Sequence, residues 1–277
     1  MSFKDLKNNT NPIIYKSRLE NTKGNILYFH GGGFIFGSND DLPDYHIKMI
    51  TEAGYDILSF NYPLSPESDF KNIIQYIIET INQTTKYMNK PYFLWGRSSG
   101  AYLCLLVVSK DLYEKPSGII SYYGYGFLLP KWYDTPSSYY LKYPPIEYNS
   151  VKNLIQNEII LSAPINPRFL LYLYARQTGN WLKTISDLTT ENFLDRYSLL
   201  NTNFDHYPPV LLVHNTRDND VPYEESFILS TRISNSKLIT FSTLGHDFDK
   251  DTTNINTLKL IKETIQFLDN NTAKAKR

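Results

Sequence analysis

Residues 92–108 read Tyr92-Phe93-Leu94-Trp95-Gly96-Arg97-Ser98-Ser99-Gly100-Ala101-Tyr102-Leu103-Cys104-Leu105-Leu106-Val107-Val108. Pro91 to Trp95 forms a short apolar run, the pattern of a buried strand. Ser99 to Val108 is apolar on almost every side, so it predicts a helix covered on more than one face. Between them lies Gly96-Arg97-Ser98-Ser99-Gly100. A serine on so sharp a strand-to-helix turn needs small residues two before and two after, where a side chain would strike neighbouring backbone. Such a turn raises the hydroxyl above the sheet and points a helix N-terminus at it, where developing negative charge is favoured. Ser98 is therefore the candidate nucleophile.

Working outward, short apolar runs alternate with helical patterns. Asn25–Phe29, Asp56–Phe60, Gly118–Tyr123, Pro209–Val213 and Lys237–Phe241 predict strands. Phe70, Ile73, Ile74, Ile77, Ile78 and Ile81 predict a helix with one apolar stripe, and helices are also expected over about 223–233 and along Ile255 to Leu268. This alternation predicts an α/β fold, a mostly parallel sheet flanked by helices. The pattern breaks between 127 and 207, where Tyr, Pro and Asn are frequent and Phe169–Arg176 is the clearest helical patch. We read 1–277 as one domain with 127–207 as a cap-like insertion over the C-terminal edge of the sheet.

The remaining chemistry lies at predicted strand ends. His30-Gly31-Gly32-Gly33 follows the first strand. Three glycines let backbone N–H groups approach an oxyanion closely, alongside the N–H of Ser99. A phosphate-binding loop would require a Lys-Ser/Thr pair after the glycines, and none follows. The segment His214-Asn215-Thr216-Arg217-Asp218-Asn219-Asp220 places two carboxylates, Asp218 and Asp220, just past a strand, where an acid can orient a histidine. His246, after the last strand, completes the order serine, acid, histidine and is the expected general base. His30 is expected to shape the glycine loop, and His46, His206 and His214 to be packing or surface residues.

Three stretches carry a family resemblance. His30-Gly31-Gly32-Gly33, Asn61-Tyr62-Pro63-Leu64-Ser65-Pro66-Glu67 and Asp218-Asn219-Asp220-Val221-Pro222 are similar to segments of the α/β-hydrolase superfamily, most nearly its hormone-sensitive-lipase-like esterases and small carboxylesterases. The resemblance implies the α/β-hydrolase fold, the acid at Asp218, and oxyanion donors at Gly32, Gly33 and Ser99. It implies hydrolysis of a carboxylic ester through an acyl-enzyme. A small serine peptidase or acyltransferase on the same triad, and a non-catalytic small-molecule binder, are the alternatives. Arg97 and Ser99 stand where those esterases usually carry Asp and Ala.

Composition narrows the class further. The chain has 277 residues with 28 basic and 28 acidic side chains, so bulk charge gives no reason to expect nucleic acid or an anionic membrane as partner. The single cysteine, Cys104, permits no internal disulfide and reads as a core residue. The polar start has no apolar leader, no run is long enough to span a bilayer, and no His, Cys, Asp and Glu cluster has metal spacing. A cytoplasmic protein acting on a small-molecule ester without metal or cofactor is expected. The basic tail Lys274-Ala275-Lys276-Arg277 reads as a solvated end, and the oligomeric state is left open.

Overall fold

The computed structural model describes residues 12–275 apart from 111, 131, 243 and 244. The start of the chain, where no apolar leader is expected, and the last two residues of the basic tail lie outside them. Among the described residues, seven strands form one sheet in the order β1-β3-β2-β4-β5-β6-β7. They are β1 (Ile13–Tyr15), β2 (Gly24–Phe29), β3 (Tyr55–Phe60), β4 (Tyr92–Arg97), β5 (Gly118–Tyr122), β6 (Val210–Asn215) and β7 (Ser236–Phe241). All pairs are parallel except β1 with β3. The expected α/β fold and the six expected strands are present.

Side chains alternate across the sheet, as the two-residue strand period requires. Leu27, Phe29, Tyr92, Leu94, Val210 and Leu212 join a core on one face. Ile26, Tyr28, Phe93, Trp95, Leu211 and Val213 join a core on the other. Burial on both faces explains why these strands read as continuous apolar runs. The first face is covered by the helices we label α2 (Phe70–Thr85), α3 (Ser99–Val108) and α8 (Tyr223–Arg232). The second is covered by α1 (Asp44–Glu52) and α9 (Ile255–Ala275). Helix α2 starts where the Asp69 carboxylate accepts the Lys71 N–H at 2.8 Å, an ordinary N-cap, and buries Phe70, Ile73, Ile74, Ile77 and Ile81. Every residue of α3 is buried, as its lack of a polar face predicts.

Outside residues 127–207, two elements were not legible. Strand β1 has three residues, too few for a period to show. Helix α1 buries His46 and Thr51 beside Ile50, so polar residues interrupt its apolar face. Helix α9 also runs beyond the apolar stripe read from Ile255 to Leu268. In that extension Thr272 and Asp269 both bond the Tyr55 hydroxyl, at 3.1 and 2.8 Å, and so tie it to the sheet.

Between β5 and β6 the chain forms α4 (Tyr148–Val151), α5 (Ile165–Thr178), α6 (Trp181–Ile185) and α7 (Thr190–Tyr197). These are not a separate body. Leu171, Trp181, Leu182, Phe193 and Leu199 are buried in the same core as the sheet face they cover. Glu225 of α8 fixes the departure of this segment. Its carboxylate is buried and accepts the N–H groups of Gly126, Phe127 and Leu129 at 2.7–2.9 Å.

Candidate active site

Ser98 stands at the end of β4 with φ +53° and ψ −120°, a conformation that few L-residues adopt. Tight packing holds it there. A Cβ at Gly96 would lie 2.2 Å from the Gly100 backbone, and one at Gly100 2.1 Å from the Phe29 carbonyl oxygen. The two glycines of the pentapeptide are thus required by sterics. The Ser98 N–H donates to the Tyr122 carbonyl at 2.9 Å, pinning the turn to the end of β5.

The loops after β6 and β7 bring the other two residues to it. His246 Nε2 lies 2.8 Å from Ser98 Oγ, and His246 Nδ1 lies 2.6 Å from Asp218 Oδ2. The second Asp218 oxygen accepts the N–H groups of Asp220 and Val221 at 2.8 and 3.0 Å. His214 Nε2 is a further neighbour, 3.3 Å from Asp218 Oδ2. Burial raises the Asp218 pKa, but the His246 charge and the bonds from both imidazoles outweigh it and hold the carboxyl below its usual range. For His246, burial acts against the charged ring. The Asp218 carboxylate again prevails, and the pKa is raised from 6.5 to about 9.

Asp220, the other carboxylate of this loop, does a different job. It accepts the Tyr172 hydroxyl at 2.8 Å, and its carbonyl accepts Arg176 Nη2 at 3.0 Å. Both partners come from α5, so Asp220 ties the acid loop to the segment above the sheet. His214, expected to be a packing residue, is buried between Ser226 Oγ and the Val221 carbonyl and touches the acid as well.

The glycine loop curls beside Ser98. Gly32 and Gly33 have φ of +106° and +59°. A Cβ on Gly31 would lie 3.3 Å from Ser98 Cβ, and one on Gly33 2.4 Å from the Tyr172 ring. Among the described residues, no acceptor is paired with the N–H of Gly32 or Gly33. The Gly33 carbonyl is held by Trp181 Nε1 at 3.0 Å. His30 shapes the loop as expected. Its Nδ1 donates to the Gly31 carbonyl at 2.7 Å, and its ring stacks on Tyr62 at 4.3 Å.

Ser98 and His246 open onto a cavity of about 290 Å³. Phe36, Ile165, Phe169 and Tyr172 give it an apolar lining, and Asp41, Arg97, Asp247 and Lys250 also border it. No group of His, Cys, Asp and Glu among the described residues could hold a metal ion. No described helix is long and apolar enough to cross a membrane.

Sequence reading passed over one cluster. Arg97 is 1% exposed, and its guanidinium meets Tyr123, Asp41 and Asp249. A signal was present: a charged residue between a buried strand and a buried helix must find buried partners. Their positions, however, lie 26 to 152 residues away along the chain.

Comparison with known proteins agrees with this architecture. A family model described as alpha/beta hydrolase fold matches residues 26–221, and one described as TAP-like protein matches residues 194–263. A protein of unknown function from Staphylococcus aureus subsp. aureus Mu50 superposes with a TM-score of 0.85 at 32% identity, over 94% of this chain and 93% of that one. An alpha/beta hydrolase superfamily protein from Enterococcus faecalis does so with a TM-score of 0.80 at 26% identity, over 92% and 93%. The versiconal hemiacetal acetate esterase of Aspergillus parasiticus is 25% identical over 100 residues, which are 34% of this chain and 32% of that enzyme. The chain therefore matches about a third of the length of this curated relative. With the family model spanning most of the chain and the sheet order in place, this chain belongs to the α/β-hydrolase family.

Proposed function

We propose that the protein is a serine hydrolase that cleaves a carboxylic ester through an acyl-enzyme, with Ser98, His246 and Asp218 as its triad. The observation that carries this reading is the continuous bonded chain from Ser98 Oγ through both His246 nitrogens to Asp218, at 2.8 and 2.6 Å, at the wall of an apolar-sided cavity. His246 Nε2 takes the Ser98 proton as Oγ attacks the ester carbonyl. Asp218 keeps the Nδ1 proton in place and stabilises the imidazolium. The carbonyl oxygen, now an anion, is received by the N–H groups of Gly32, Gly33 and Ser99, with the α3 N-terminus behind them. His246 then returns the proton to the departing alcohol. A water, deprotonated by the same nitrogen, releases the acid and restores Ser98.

The segment 127–207 serves in this reading as the cap. It supplies Phe169 and Tyr172 to the apolar lining, and Trp181 to hold the glycine loop. Esterase activity in the Aspergillus relative favours an ester over an amide.

The test is a fluorophosphonate probe followed by mass mapping, then a panel of esters of varied acyl length. Wild type takes one adduct, on Ser98, and hydrolyses part of the panel. Ser98→Ala takes no adduct and loses turnover by roughly 10⁴-fold or more. An adduct elsewhere, or wild-type turnover in Ser98→Ala, would refute the assignment.

A further inference from the structure

Arg97 directly precedes the proposed nucleophile, and Asp249 lies three residues after the proposed base. They meet in the interior. Arg97 Nη2 donates to Asp249 Oδ1 at 2.9 Å, and Asp249 is fully buried. The Tyr123 hydroxyl lies between them, accepting from Arg97 Nε at 2.7 Å and donating to the same Asp249 oxygen at 2.6 Å. The Tyr123 ring in turn packs on the His246 ring, with centroids 4.6 Å apart. Tyr123 has φ +42°, an uncommon conformation for a tyrosine, just past the end of β5. The remaining Arg97 nitrogen, Nη1, reaches the carbonyl and carboxylate of Asp41, both at 3.2 Å. His46 Nε2 lies 3.4 Å from the other Asp249 oxygen.

We infer that Arg97, Asp249 and Tyr123 form a buried clamp that positions the base, setting the distance between His246 and Ser98 from below. The inference rests on the triad proposed above. Three separate chain segments, the end of β4, the end of β5 and the loop after β7, converge on one carboxylate oxygen. Two of them carry the reacting side chains. Arg97 borders the cavity, but its side chain is 1% exposed and all three guanidinium nitrogens are committed to protein acceptors, so it acts through its neighbours rather than by binding substrate. A buried ion pair adds little net stability once its desolvation is counted. What it does provide is one geometry, since a guanidinium offers its donors in a rigid plane. Arg97, Asp249 and Tyr123 are thus positioning residues.

The test uses Tyr123→Phe and Asp249→Asn, with Lys237→Ala as a distant surface control. Tyr123→Phe keeps the ring against His246 and removes only the bridging hydroxyl, so it remains informative if Asp249→Asn does not fold. Two readouts are taken on folded protein: kcat and KM on an ester that wild type hydrolyses, and the imidazole proton NMR signal of the His246–Asp218 bond. The clamp predicts a tenfold or greater fall in kcat with KM within twofold, together with broadening of that signal. It also predicts slower fluorophosphonate labelling of Ser98. Unchanged kcat and a sharp signal in both variants would overturn the clamp, even with wild type active. A wild type that takes no adduct would instead refute the triad, and the NMR signal alone would then decide whether the clamp holds His246.

Discussion

His246 is where the electrostatics of this site can be read in solution. In the proposed mechanism only the neutral ring can take the Ser98 proton. Its pKa is raised above 6.5 to about 9, so activity is lost as pH falls through that raised value. The acid limb of kcat/KM is therefore expected above pH 6.5, toward the alkaline side. Asp218→Asn removes the charge that lifts it. That variant moves the limb down and, by favouring the wrong tautomer, lowers kcat by roughly 10³- to 10⁴-fold. A pH–rate profile of both proteins checks the shift, and a limb that stays in place would contradict the assignment of the acid.

At the scale of elements, α5 is the piece that joins cavity to sheet. Tyr172 reaches from it to Asp220, and its ring occupies the space that only a glycine at position 33 leaves open. Arg176 on the same helix packs against Trp132 and Tyr140 and bonds the Asp220 carbonyl. Asp220→Asn weakens this tie without touching the His246 bond. It is expected to raise KM about fivefold, the equivalent of one ordinary hydrogen bond of about 1 kcal/mol, with kcat little changed. Steady-state kinetics on Asp218→Asn and Asp220→Asn side by side separates the two carboxylates. A larger kcat loss at Asp220 would reverse their roles.

Across the whole molecule, a second buried ion pair joins the stretch before α2 to the segment above the sheet. Arg168 of α5 grips Glu67 through two bonds of 2.6 Å, and it also donates to the carbonyls of Ile35, Leu154 and Ser65. Both side chains are buried, that of Glu67 completely. Breaking a pair of this kind leaves a charge without its partner, at a cost of about 3–5 kcal/mol. Glu67→Gln is expected to lower stability by that amount in urea unfolding. A loss under ~1 kcal/mol would mean that the neighbouring carbonyls suffice to hold Arg168.

The amino-acid sequence alone determined the parallel α/β sheet, the turn that carries Ser98, the glycine loop, and the order in which the candidate acids and the candidate base follow it. Each depends on local physics: apolar period, the steric need for glycine, and the place of a residue just past a strand end. Tertiary structure alone decided what Asp220, His214, Arg97 and Glu67 touch. Their partners come from distant segments, and a buried charge shows in sequence only as a residue that must be paired. Which carboxylate or carbonyl meets it follows from how the strand ends converge and how the chain between β5 and β6 folds back over them.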